Sequence, residues 1–273
     1  MSFTTLIKTL AISVLMIVFS LPVSASTRKE AFDHNTFHQV LQKYVDENGY
    51  VNYNALKSNR TELDSYIEAL AHTSPSNSPS LFPDKNSKLA YWINAYNAFT
   101  LRGIIDNYPT KSVRDIHALY GFFWRIKFTT GGKKMSLRAL ENEIIRKFNE
   151  PRIHFAIVCA SEGCPRLSRE AYVPERLEAQ LETQAQKFIN EERNVKIDTK
   201  TNALHMSKIF DWFAEDFLVA FPGEKDKKRV TQYLKPYLNV SRRQALEQLK
   251  TTKIEYIEYD WRINDQARQD IKK

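Results

Sequence analysis

The chain has 273 residues, a net charge of +8, seven glycines and only two cysteines. That length buries a core of its own without staples, and two cysteines exclude a disulfide scaffold. The positive balance would suit an anionic surface such as phospholipid or lipopolysaccharide, which makes membrane-surface association an expectation. Yet the charges alternate, as in Glu175-Arg176, and the densest basic run, Lys225 to Arg229, contains Asp226. We expect a solvated surface and no nucleic-acid partner.

The first segment reads as a targeting signal. Lys8 is the only charge before Arg28, Leu10 to Phe19 is apolar apart from Ser13, and Pro22 leads into Val23-Ser24-Ala25. This predicts a signal peptide over 1–25, cleaved after Ala25, and an exported protein, periplasmic or secreted. The alternative is an uncleaved anchor, but the apolar core falls short of the roughly 20 residues a span needs.

Residues 26–83 form a helical N-terminal region and a linker. Phe32, Phe37, Val40, Leu41 and Tyr44 keep helical spacing, as do Leu56, Leu63, Tyr66, Ile67 and Leu70, with Gly49 to Tyr53 extended between them. Thr73 to Pro83 carries three prolines among serines and is loop. The remaining 84–273 reads as an α+β domain. Asp84 or Asn86 caps a helix that stays apolar nearly all round through Ile104, so it is central and buried. Asn94 and Asn97 sit three apart on that helix, and buried amides need specific partners: backbone edges, or a ligand in the site.

Phe122 to Thr130 and Lys133 to Met135 predict a hairpin around Gly131-Gly132. Ser136 caps a helix over Leu137 to Phe148 that carries Glu141, and Pro151 opens a strand over Ile153 to Cys159. A helix from Pro174, a hairpin of Val195–Asp198 with Ala203–Met206, helices over Ser207–Phe221 and Lys225–Leu249, and a strand from Lys253 to Tyr259 complete the chain. Hairpins among single helices argue for an antiparallel sheet packed with helices. The closing Tyr259 to Asp265 reads as a structural seal.

Both cysteines lie where the 153–159 strand breaks into Ala160-Ser161-Glu162-Gly163-Cys164. Cys159 has three readings: a small buried apolar residue, half of a disulfide with Cys164, or a reactive thiol. We expect free thiols, because Cys164 enters the layer of Cys159 only if the turn is tight. On a regular strand His154 and Cys159 face opposite sides, so a dyad requires a bend. Arg152, Arg166 and Arg169 are near enough in sequence to favour a thiolate. His34 and His38 are four apart but are assigned to the surface, and no metal-ligand pattern or cofactor motif is present.

With these residues in view, the chain resembles the family called domain of unknown function 547. The matching pieces are Trp92 to Ala98, Ser136 to Asn142 with Arg146, Pro151 to Ser161 with Cys164-Pro165, Ile209 to Phe217, and Tyr259 to Asn264. The resemblance implies a shared fold, of the cysteine-peptidase-like kind, and Cys159 as nucleophile in members that are enzymes. It also exposes a departure: relatives often carry His where this chain has Asn142, and some carry Ser in place of Cys164.

These readings converge on a thiol-dependent hydrolase or acyltransferase acting on an amide or thioester. Cys159 is its nucleophile, His154 its base, and Glu141, Asn94 or Asn97 the group that orients the base. Backbone N–H groups between Ala160 and Gly163 form the oxyanion site, with Asn94, Asn97, Ser161 and Gly163 contacting substrate. The alternative is a non-enzymatic protein that binds a small-molecule or peptide ligand through the same groove.

Overall fold

The structure, a computed structural model, describes residues 31–218, 229–249 and 253–268. The predicted signal peptide lies outside them. No helix among the described residues is long and apolar enough to cross a membrane.

The described residues belong to one compact unit. Helices α2 (Tyr53–Ser58) and α3 (Thr61–His72) pack on α4 (Lys85–Asp106), α1 (Asn35–Tyr44) packs on α3, and the Pro/Ser loop adds Phe82 to the same core. His34 corrects its surface assignment. It is buried, its Nδ1 lies 2.7 Å from Tyr66 Oη, and burial lowers its pKa to about 4. The α4 helix is buried on every side, as its composition requires. Asp84 is its cap: its carboxylate accepts from Ser87 N at 2.7 Å while Ser87 Oγ accepts from Asp84 N at 3.2 Å.

A short helix α5 (Gly121–Trp124) takes the start of the predicted first hairpin strand. The antiparallel pair is β1 (Phe128–Thr130) with β2 (Lys133–Met135). The next helix begins at Ser136 as predicted but is not uniform. After α6 (Leu137–Ala139) it widens into a π turn over Leu140–Ile144 and tightens into a 3₁₀ turn over Ile145–Phe148. Helix α7 (Leu177–Asn190) precedes the hairpin of β3 (Val195–Asp198) with β4 (Ala203–Ser207). Helices α8 (Lys208–Trp212), α9 (Ala214–Phe217), α10 (Val230–Leu234) and α11 (Val240–Glu247) follow. Strand β5 (Lys253–Ile257) then joins β4 in parallel, Leu204 opposite Ile254. The class is α+β with antiparallel hairpins, as the pattern of elements indicates.

The stretch from Ile153 to Cys159 is not a strand. Pro151 opens a 3₁₀ turn over Pro151–Phe155 that Glu150 caps by accepting from Arg152 N. Ile153 O then accepts from both Ala156 N and Ile157 N at 2.9 Å. This turn sits between two cores: Ile153 and Ala156 pack in the cluster around α4, Phe155 in the one formed by α7 to α11 and β4. A run apolar enough for a buried strand serves equally well as a link between two cores.

Candidate functional site

Because the chain turns through Pro151–Phe155, the alternation that would separate His154 from Cys159 is lost. Both now line one apolar cavity of about 180 Å³, together with Glu141 and Cys164. Asn97 steers the chain there. Its Nδ2 donates to Ala156 O at 3.0 Å and its Oδ1 accepts from Val158 N at 2.9 Å, as a neighbouring strand would. Ala160 then adopts φ = +62°, a left-handed conformation costly for a non-glycine residue. The following backbone is zipped onto the C-terminal segment, with Glu162 N donating to Arg262 O at 2.7 Å and Gly163 N to Asp260 O at 2.9 Å.

This tight turn overturns the expectation of free thiols. Cys159 and Cys164 have Cα atoms 6.2 Å apart and their sulfurs are bonded. Ser161 Oγ and Tyr259 Oη lie 3.0 and 3.1 Å from Cys159 Sγ and 2.9 Å from each other. Gly163 lies under Tyr259: a Cβ there would come within 2.9 Å of the ring. Of the N–H groups between Ala160 and Gly163 expected to hold an oxyanion, those of Glu162 and Gly163 are spent on the Arg262 and Asp260 carbonyls.

His154 is buried, with Nε2 2.7 Å from Asp216 Oδ2 and its ring stacked on Phe213 at 4.1 Å. Arg146 grips the same carboxylate through Nε at 2.6 Å and Nη2 at 2.8 Å, and Asn142 Oδ1 accepts from Arg146 Nη1 at 2.6 Å. Asn142 therefore orients an arginine that orients an aspartate. Burial lowers the His154 pKa, against the pull of Asp216, so the imidazole is neutral at pH 7. Burial pushes Asp216 up, but the hydrogen bonds from His154 and Arg146 prevail and hold it at about 2. Although His154 and Cys159 share a cavity, no hydrogen bond joins them; those of Cys159 Sγ go to Ser161 and Tyr259.

Glu141 stands on the π turn, the local widening that often marks functional sites. Burial raises its pKa to about 7, against the opposing influence of Arg146 and a 3.5 Å hydrogen bond from Tyr96 Oη. Among the described residues it has no salt-bridge partner. Its carboxyl therefore exchanges a proton near neutrality inside the cavity.

The remaining predicted site residues do other work. Asn94 Nδ2 donates to Tyr172 O at 2.8 Å and its Oδ1 accepts from Tyr172 N at 2.9 Å, so its amide, like that of Asn97, is spent on backbone and is not free for substrate. Arg152 pairs with Glu150 and Glu178, Arg166 with Glu191, and Arg169 with Glu47, so none of the three charges is free to sustain a thiolate. Asp216, Arg146 and the aromatic walls Tyr96, Trp212, Phe213, Tyr259 and Trp261 escaped the reading of individual residues. The one signal was their presence in the blocks that carry the resemblance. Outside the cavity, Tyr259 and Trp261 also wall an open polar groove with Ser112, Arg114, Asp115, Glu258, Asp260 and Arg262. No group of three His, Cys, Asp or Glu side chains among the described residues is placed to hold a metal.

The fold and site together define an α+β protein whose cysteine loop walls an aromatic cavity. Residues 80–189, from the approach to α4 through α7, match the family model described as Protein of unknown function, DUF547. The chain is a DUF547 domain-containing protein. No curated protein and no solved structure matches it.

Proposed function

We propose that this protein binds a small ligand in the cavity between Glu141 and the Cys159–Cys164 bond, with the disulfide serving as a wall of the site. The observation that carries this reading is the bonded sulfur of Cys159: a sulfur held in a disulfide is not a nucleophilic thiolate. The commitment of His154 to Asp216, and of the Glu162 and Gly163 N–H groups to backbone carbonyls, supports it. We place the protein in the periplasm or outside the cell, on the strength of the apolar run Leu10 to Phe19 and of the persistence of disulfides in oxidising compartments. Its ligand is a small molecule or a single side chain of a peptide; nucleic acid has no part in this reading, and the net positive charge supports contact with an anionic membrane surface.

A saturation-transfer NMR screen of small molecules against the oxidised full chain tests the proposal. Hits should disappear in Ile157→Trp, which fills the cavity, and in Phe213→Leu, which removes a wall. Hits that survive both changes overturn it.

A second reading is favoured by the His154–Asp216–Arg146 arrangement on the same cavity: a thiol-dependent hydrolase or acyltransferase, acting on an amide or thioester, that reduction of the disulfide releases. It predicts that the reduced protein turns over a chromogenic thioester, that Cys159→Ser abolishes this, and that iodoacetamide labels Cys159 faster than free cysteine. A reduced protein with neither property is not such an enzyme.

A further inference from the structure

The cavity carries one carboxyl group that makes no salt bridge among the described residues. Arg146 is neutralised by its two hydrogen bonds to Asp216, and His154 is neutral. Glu141 remains, half-buried on the π turn, and among the described residues its carboxylate is hydrogen-bonded by Tyr96. Around it stand six aromatic side chains, Tyr96, Phe123, Trp212, Phe213, Tyr259 and Trp261. Three of these already form a connected panel: Tyr259 and Trp261 lie 4.5 Å apart, and Trp212 lies 4.8 Å from Tyr259 and 5.8 Å from Trp261.

Aromatic faces carry negative potential, and walls of several rings around a desolvated cavity attract a diffuse positive charge more strongly than any one ring. A neutral apolar occupant would leave Glu141 to take up a proton; an anionic one would meet both the carboxylate and the ring faces. The volume also selects. About 180 Å³ lies well below the roughly 300–1,000 Å³ of a drug-sized site, so only a small head group enters.

We propose that the cavity takes a small organic cation, an alkylammonium head group, with Glu141 as its counter-ion and Trp212, Tyr259 and Trp261 as its aromatic wall. This rests on the binding reading above and gives it a ligand class. Tyr259 and Trp261 are walls shared with the outer polar groove, which carries Asp115 and Glu258 beside Arg114 and the Asp260–Arg262 ion pair.

The charged groups around Glu141 set the pH dependence. They are Arg146 and Arg138 on its own helix, Tyr96 from α4, Asp216 from α9 with its partner His154, and Tyr259 after β5. Binding that requires the ionised carboxylate should follow the ionised fraction of a group titrating at about 7, so it weakens about tenfold from pH 8 to pH 6.

The experiment is a titration of the oxidised full chain at pH 8 with choline and with its neutral isostere 3,3-dimethylbutan-1-ol, read by calorimetry and by the fluorescence of Trp212 and Trp261. Choline should bind at least about tenfold more tightly than the alcohol. Glu141→Gln, which keeps the shape of the side chain, should abolish that preference and flatten the pH dependence, while Trp212→Ala should weaken choline with Glu141 intact. If the alcohol binds as well as choline, the cation inference is wrong and the cavity still binds ligands. If Glu141→Gln retains the preference and the pH slope, the counter-ion is misassigned. If neither probe binds at millimolar concentration, this inference fails, and the screen above decides the binding reading separately.

Discussion

Asn97 offers both ends of its side-chain amide to the chain that runs into Cys159, and Asn94 does the same for Tyr172. The need of these two amides for fixed partners could be argued from a buried helix alone. Which partners they take could not, because those lie 59 to 78 residues away in sequence. Replacing Asn97 by Ala strands a buried carbonyl and a buried N–H at about 1–3 kcal/mol each, so a loss of about 2–6 kcal/mol is expected by urea unfolding. A loss below about 1 kcal/mol would mean that water takes over both bonds. Glu141 gives a prediction of opposite sign. Its folded pKa of about 7 lies above the ordinary carboxylate value of 4.5. Between those values the folded form holds a proton that the unfolded form has released, so stability falls as pH rises through that window. Glu141→Gln removes the titration. The variant should match the native chain near pH 4 and exceed it by about 1–3 kcal/mol at pH 8, at about 1.4 kcal/mol per pKa unit; a constant offset across pH would show that this carboxyl does not titrate as described.

Among the elements, those that build their own bonding were legible. The α4 helix has a capping residue, an uninterrupted apolar run and Pro109 beyond its end, and it forms where those features put it. The hairpin of β3 with β4 follows its alternating pattern in the same way. The stretch from Ile153 to Cys159 was not legible, since its length and β-branched content suit a strand and a core-spanning turn alike. What decides is external: Glu150 caps the turn, Asn97 supplies the lateral hydrogen bonds, and two separate cores draw Ile153 and Phe155 in different directions. The π turn that carries Glu141 escapes sequence reading for a related reason, because local propensity scarcely separates one extra residue in a turn from an ordinary helix. The cap is testable by itself. Asp84→Ala removes the acceptor for Ser87 N and should cost about 0.5–2 kcal/mol in a thermal or urea melt, while Asp84→Asn should recover most of it.

At the scale of the molecule, the C-terminal seam decides whether the site exists. Val51 N donates to Asn264 O at 2.9 Å, Asn264 N to Ala160 O at 3.1 Å, Ile263 N to Lys111 O and Val113 N to Trp261 O at 3.2 Å. Tyr53 Oη adds a 2.7 Å bond to Asn264 Oδ1, and Tyr108 Oη donates to Asp265 Oδ2 at 2.8 Å. These residues join the N-terminal helices, the loop after α4 and the cysteine turn, three regions far apart in sequence. The mixed aromatic and polar composition of Tyr259 to Asp265 marked the segment as ordered; its partners could be known only from the fold. A chain that stops after Glu258 loses every one of these bonds together with the cavity walls Tyr259 and Trp261. It should show no cooperative thermal transition by circular dichroism. A chain that stops after Arg268 keeps them all and should melt within about 3 °C of the full-length protein. Were the shorter chain to melt cooperatively at the full-length midpoint, the seam would be ornamental to the fold, and the cysteine turn would need another explanation for its shape.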